Sequence, residues 1–160
     1  MSARAWTLSV EDREKLIKAA FKAKEHTYSR YSNFPVGAAL LAADGSIIKG
    51  ANVENASYGG TICAERTALV KAVSEGTRKF IGLAITSNVN SIISPCGICR
   101  QFIREFCALD MPILLVPADY PQPGEQKPGY SQGGVLETTL GELLPMSFGP
   151  EHLELPRNPQ

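Results

Sequence analysis

Thr61-Ile62-Cys63-Ala64-Glu65-Arg66 and, about thirty residues on, Ser94-Pro95-Cys96-Gly97-Ile98-Cys99-Arg100-Gln101 are the stretches from which the rest of the chain can be read. Three cysteines in two clusters supply three thiolates, and a tetrahedral zinc held by three protein ligands keeps its fourth position open for water. An open position is what a catalytic zinc requires. Glu65 follows the first cysteine by two positions and can take a proton from that water; as a hard ligand it suits this soft sulfur site less well than a thiolate does. The reading from the residues alone is therefore a zinc site, Cys63, Cys96 and Cys99, with a proton carrier, Glu65, beside it.

Local signals place both clusters at helix starts. Pro95 suits a first helical position and Ser94 an N-cap, and Thr61 is expected to cap the first metal helix in the same way. Two helix N-termini aimed at one metal help keep the cysteines ionised. Arg66 and Arg100 follow the clusters and are expected to lend electrostatic support, drawing charge from a net negative site. A closed, structural zinc site is the competing reading, but such sites usually have four protein ligands and leave Glu65 without a purpose.

Together with Phe34-Pro35-Val36-Gly37-Ala38 and Asn52-Val53-Glu54-Asn55-Ala56-Ser57-Tyr58, these motifs resemble the small, homotetrameric, zinc-dependent cytidine deaminases, from about Val10 to Phe148. The cysteine and glutamate signature is the one known for zinc deaminases in general, so the chemistry it implies is carried over from that class. The resemblance implies hydrolytic deamination of cytidine and deoxycytidine at C4, with one zinc per chain and Glu65 moving the protons. It further implies that the Ala64 N–H reads the pyrimidine, that Phe34 stacks on it, and that Asn52 and Glu54 hold the ribose. Tyr58 and Phe148 match positions through which a neighbouring subunit completes the pocket. Read alone, Phe34, Tyr58 and Phe148 are equally core or interface aromatics, and Asn52 and Glu54 loop polar residues. Arg30 stands where the family usually has proline.

The 160 residues suit one domain, and 16 basic against 16 acidic side chains leave no net charge to attract nucleic acid. A small nucleoside substrate fits this balance. A nucleic-acid editor would show a basic groove with interleaved aromatics. No membrane-length apolar run is visible, and the four cysteines do not form a secreted disulfide pattern, so a cytoplasmic location is expected. Cys107 reads as a small buried hydrophobe. The remaining rivals are a deaminase of a cytosine-nucleoside antibiotic of the blasticidin S type and a catalytically silent assembly subunit; retention of Glu65 argues against the latter.

Along the chain, residues 1–8 are expected to be a mobile terminus in which Trp6 could pack onto a partner. Ser9 caps a helix with an apolar stripe at Leu16, Ile17, Ala20, Phe21 and Ala23, and His26 ends it. A hairpin at Asp44-Gly45 joins strands over 36–41 and 46–52. The first metal helix runs to a glycine stop at Gly76. Unbroken apolar runs at 80–86 and 112–116 predict buried strands. Residues 119–134, rich in proline, glycine and glutamine, read as a surface insertion where the family has a shorter hairpin. Then follow a return strand at 135–138, a helical turn at 139–144 and a polar tail over 151–160. Alternating strands and helices make a layered α/β domain. The resemblance implies its form: a three-layer α/β/α fold with a mixed central sheet of about five strands.

Overall fold

In a computed structural model describing residues 7–158, five strands form one mixed sheet in the order β2-β1-β3-β4-β5. The strands are β1 (Val36–Ala42), β2 (Ile47–Ala51), β3 (Phe80–Ser87), β4 (Pro112–Val116) and β5 (Leu136–Thr139). β3 and β4 are parallel; the other neighbours, β1 with β2, β1 with β3 and β4 with β5, are antiparallel. The apolar run of β3 lies at the centre, as an uninterrupted buried strand should.

Helices cover both faces. α1 (Val10–Lys24) brings Leu16, Ile17 and Ala20 onto Ala39, Leu41, Ala84 and Leu114. On the other face α2 (Ala64–Ser74) and α3 (Gly97–Phe106) bring Ala68, Leu69, Ala72 and Ile103 onto Leu40, Leu83, Ile85 and Ile113. The short α4 (Leu140–Leu143) adds Leu140 to that second core. The result is the expected three-layer α/β/α arrangement.

Two glycines let helices touch the sheet. A Cβ at Gly37 would stand 2.1 Å from the Ala20 carbonyl oxygen, and one at Gly50 would stand 2.4 Å from the Ala68 nitrogen. Only hydrogen fits at these crossings, so α1 and α2 are drawn tightly onto opposite faces of adjacent strands.

Ser9 caps α1 as its sequence predicts, its Oγ accepting from the Asp12 N–H at 3.1 Å. Thr139 and Glu142 form a reciprocal capping box on α4. Other local expectations are corrected. Residues 1–6, with Trp6, lie outside the described residues, but Thr7 donates its N–H to the buried Glu137 at 3.2 Å and Leu8 packs onto the α1-side core. The tail opens with a 3-10 turn at Pro150–Glu154, where the sequence shows only polarity. Cys107 is buried at the end of α3, the small hydrophobe its sequence suggests.

Candidate active site

The sheet delivers both ligand clusters to one edge. β2 and β3 run in the same direction, since each is antiparallel to β1, and the segments leaving their C-terminal ends lead into α2 and α3. The N-termini of these helices converge there.

Neither predicted cap holds. The N-caps are Cys63 and Cys96 themselves, in extended conformation, and neither side chain accepts a capping hydrogen bond. Thr61 Oγ1 accepts from the Asn55 N–H at 3.2 Å, and Ser94 Oγ accepts from Arg100 at 2.8 Å. Pro95 consequently precedes the helix. The reason is chemical: a cysteine at the N-cap projects its sulfur past the helix end, and the first-turn N–H groups, which have no partner within the helix, remain free to face a site.

The three sulfurs of Cys63, Cys96 and Cys99 lie within 4.8 Å of one another, with Cys63 and Cys96 3.8 Å apart. Zn–S bonds of about 2.3 Å at a tetrahedral angle require sulfurs roughly 3.8 Å apart, so the thiol set fits zinc. Cys99 is buried, Cys63 partly so, and Cys96 exposed, which leaves the cluster open on one side. Among the described residues no histidine or carboxylate joins the cluster. Cys107 stands apart, its thiol pushed up to about 12 by burial.

Glu65, in the first turn of α2, is only 4% exposed. Burial pushes its carboxyl up to about 7, against the opposing pull of the backbone N–H at the helix end. Cys63 moves the other way, down to about 5, through hydrogen bonding from Cys99 and from the Arg66 guanidinium. Cys99, sharing that proton and buried beside Glu65, is pushed up.

The two arginines differ. Arg66 Nη2 lies 3.8 Å from the Cys63 sulfur and 3.2 Å from the Thr61 carbonyl oxygen. Arg100 is turned toward oxygen instead of sulfur. Its guanidinium donates to the carbonyl oxygens of Pro95 at 2.8 Å and Leu143 at 2.7 Å, so it fixes backbone around the second cluster.

The expected sugar contacts also hold the site together. Buried Asn52 accepts from the Val36 N–H at 2.8 Å and from the Thr27 hydroxyl, and donates to the Phe34 carbonyl oxygen at 2.9 Å. One amide hydrogen is left over. Glu54 accepts from the N–H groups of Tyr31 at 2.8 Å and Ser32 at 3.2 Å and from the Ser32 hydroxyl, which together hold its carboxyl below the usual carboxylate range. Glu54, Tyr31, Ser32, Tyr58 and Thr61 line a cavity of about 370 Å³. Sequence reasoning did not single out Ser32 or Thr27; their signal was only a short hydroxyl beside an expected loop.

Phe34 is 39% exposed, Tyr58 76% and Phe148 56%, so none is a core aromatic. Tyr58 sits 6.0 Å from the Tyr31 ring, and Phe148 stacks on His152. Ala64 is fully buried at the head of α2.

A family profile for the cytidine and deoxycytidylate deaminase zinc-binding region matches residues 10–115. The curated cytidine deaminase of Sporosarcina psychrophila is 48% identical over 142 residues, spanning 89% of this chain and 95% of that relative. The cytidine deaminase of Halalkalibacterium halodurans is 47% identical, spanning 89% and 98%. The crystal structure of cytidine deaminase from Burkholderia pseudomallei superimposes with a TM-score of 0.73 at 42% identity, over 84% of this chain and 98% of that one. Sequence match, fold and thiolate cluster agree, and the chain belongs to the cytidine and deoxycytidylate deaminase zinc-binding family.

Proposed function

We propose that this protein hydrolyses cytidine and deoxycytidine to uridine and deoxyuridine with release of ammonia, in pyrimidine salvage. The observation that carries the reading is a buried carboxylate, Glu65, set beside three converging thiols with an open side. Cys63, Cys96 and Cys99 would hold zinc, which when bound acidifies a water from a pKa of about 16 toward roughly 7.

The proton work falls to Glu65. In the metal-free chain burial lifts its carboxyl above the usual carboxylate range, toward the neutrality at which a group both accepts and releases a proton. It takes one from the attacking water and gives it to ring N3 so that C4 becomes electrophilic; it then takes the second from the new C4 hydroxyl and delivers it to the departing amino group as the C4–N bond breaks and the carbonyl forms. The balance is one nucleoside and one water to one uracil nucleoside and one ammonia, with the carboxylate regenerated. The Ala64 N–H, without a helical partner at the head of α2, reads the pyrimidine, and half-exposed Phe34 stacks on it. Glu54 and the spare amide hydrogen of Asn52 take the sugar hydroxyls, while Arg66 withdraws charge from Cys63.

A homotetramer with shared pockets is proposed from the outward-facing Tyr58 and Phe148, which lack a partner surface large enough to cover them within the described chain. Thiol ligands require reducing surroundings, which supports a cytoplasmic location. Loss of the cytidine absorbance band, measured with zinc content on the same purified sample, tests the assignment. Conversion with about one zinc per chain is expected. Zinc-loaded protein that converts neither cytidine nor deoxycytidine would overturn it.

A further inference from the structure

The insertion at 119–134 is not a loose surface loop at its base. It leaves the C-terminal end of β4, beside the irregular connection 88–96 that carries the chain from β3 to Cys96. The Ala118 N–H donates to the Val89 carbonyl oxygen at 3.0 Å, and Gln122 Nε2 donates to the Asn90 carbonyl oxygen at 3.0 Å and to Asp119 at 2.8 Å. Tyr120 packs onto the α1-side core and donates its hydroxyl to Glu14 on α1 at 3.0 Å.

The far end of the insertion locks this base from the other side. The Gln122 N–H donates to the Gly133 carbonyl oxygen at 3.0 Å. Gly133 and Gly134 adopt φ of +76° and +82°, and a Cβ on either would stand 2.7 Å from the Tyr120 ring or 2.2 Å from the Gln122 side chain. Only glycine meets both demands. Ser131, between them and the tip, is 1% exposed and its N–H donates to the Val135 carbonyl oxygen at 2.7 Å. Residues 123–128, by contrast, are exposed.

The connection to Cys96 is thus gripped at two points. Arg100 holds Ser94 and Pro95 at the helix end, and at the strand end Ala118 holds Val89 while Gln122 of the insertion holds Asn90. Cys96 is the most exposed of the three ligands and the one whose position depends on this irregular segment.

We propose that the base of the insertion is a strut for the metal-ligand loop, with Gln122 as a positioning residue that keeps Cys96 in register with Cys63 and Cys99. The inference rests on the ligand assignment above. Losing one hydrogen bond to the loop loosens the exposed ligand and eases its exchange for a competing chelator.

The test compares zinc-loaded full-length protein with Gln122→Ala and Gln122→Met, the latter keeping the bulk that packs on Gly134 while removing the donor. A tip control, Gln126→Ala with Lys127→Ala, leaves the base intact. Zinc release to a chromogenic chelator is expected to be about three- to tenfold faster in both Gln122 variants and unchanged in the tip control. Cobalt-substituted samples should show a weakened thiolate-to-metal absorption in the Gln122 variants alone. Wild-type release rates in both Gln122 variants, or equal acceleration in the tip control, would overturn the strut. A wild-type protein with no thiolate-bound metal would instead overturn the ligand assignment and the strut with it.

Discussion

The N-termini of α2 and α3 begin alike and end up doing opposite things. Each starts at a cysteine N-cap of nearly the same backbone conformation, with φ and ψ of −68° and 156° at Cys63 and −66° and 166° at Cys96. Two residues further on, Glu65 is 4% exposed and Ile98 is 66% exposed. Three residues on, Arg66 rests against sulfur, whereas Cys99 is itself a buried member of the cluster. α2 packs on β1, β2 and α3, which encloses Ala64 and Glu65 in its first turn; α3 leaves Gly97, Ile98 and Gln101 open. The same local geometry therefore yields an enclosed carboxylate behind the cysteine of one helix and a second cluster cysteine behind that of the other, because the surroundings differ.

The sharpest way to break this comparison is to remove the enclosed carboxylate. Glu65→Gln keeps size and burial, and should keep zinc, while turnover of cytidine falls by at least about 10⁴-fold, the worth of two proton transfers. Steady-state kinetics beside a metal assay check this; near-normal turnover would sink the role. On the clamp side, Cys96→Ala should lose bound zinc and turnover together, as read by metal analysis of the purified variant, since two thiolates do not hold the site.

The enclosure itself is measurable without metal. Glu65 is raised from 4.5 to about 7 by burial, so the folded chain prefers it protonated. The stability this allows is fully present below pH 4.5 and is lost as pH rises through about 7. Stripped of zinc, the wild-type protein should lose about 3 kcal/mol relative to Glu65→Gln across that window. Denaturant unfolding at several pH values reads it, and parallel curves for the two proteins would count against the burial argument. The smallest effect concerns the arginines. In metal-free protein Arg66→Met should raise the Cys63 thiol from about 5 by roughly one unit, and Arg100→Met should leave it in place. Alkylation rate against pH distinguishes them.

Much of the fold was legible because its signals are local and periodic. The capped α1, the Asp44-Gly45 hairpin, the apolar runs of β3 and β4 and the helical turn of α4 all lie where propensity and pattern put them. The helix starts at the metal were misplaced for a physical reason: Ser94 and Thr61 are good caps in isolation, but sulfur at the N-cap serves the site. Arg100 was misread because its partners, Pro95 and Leu143, include one far along the chain. The base of the insertion was invisible for the same reason, since composition describes residues 119–134 but not the Asn90 carbonyl that Gln122 grips, nor the Val89 carbonyl held by the adjoining Ala118.

Residue type and spacing by themselves determined the chemistry on offer: three thiols, one carboxylate two positions from the first, and a chain that alternates strands with helices. Only the tertiary structure decided how that chemistry is tuned. Burial raises Glu65, Cys99 and Arg66 together depress Cys63, and Asn52 and Glu54 are enlisted to shape the 27–36 loop that frames the cavity. These effects depend on dielectric surroundings and on hydrogen bonds between segments distant in sequence, and neither exists until the sheet brings the two helix ends together.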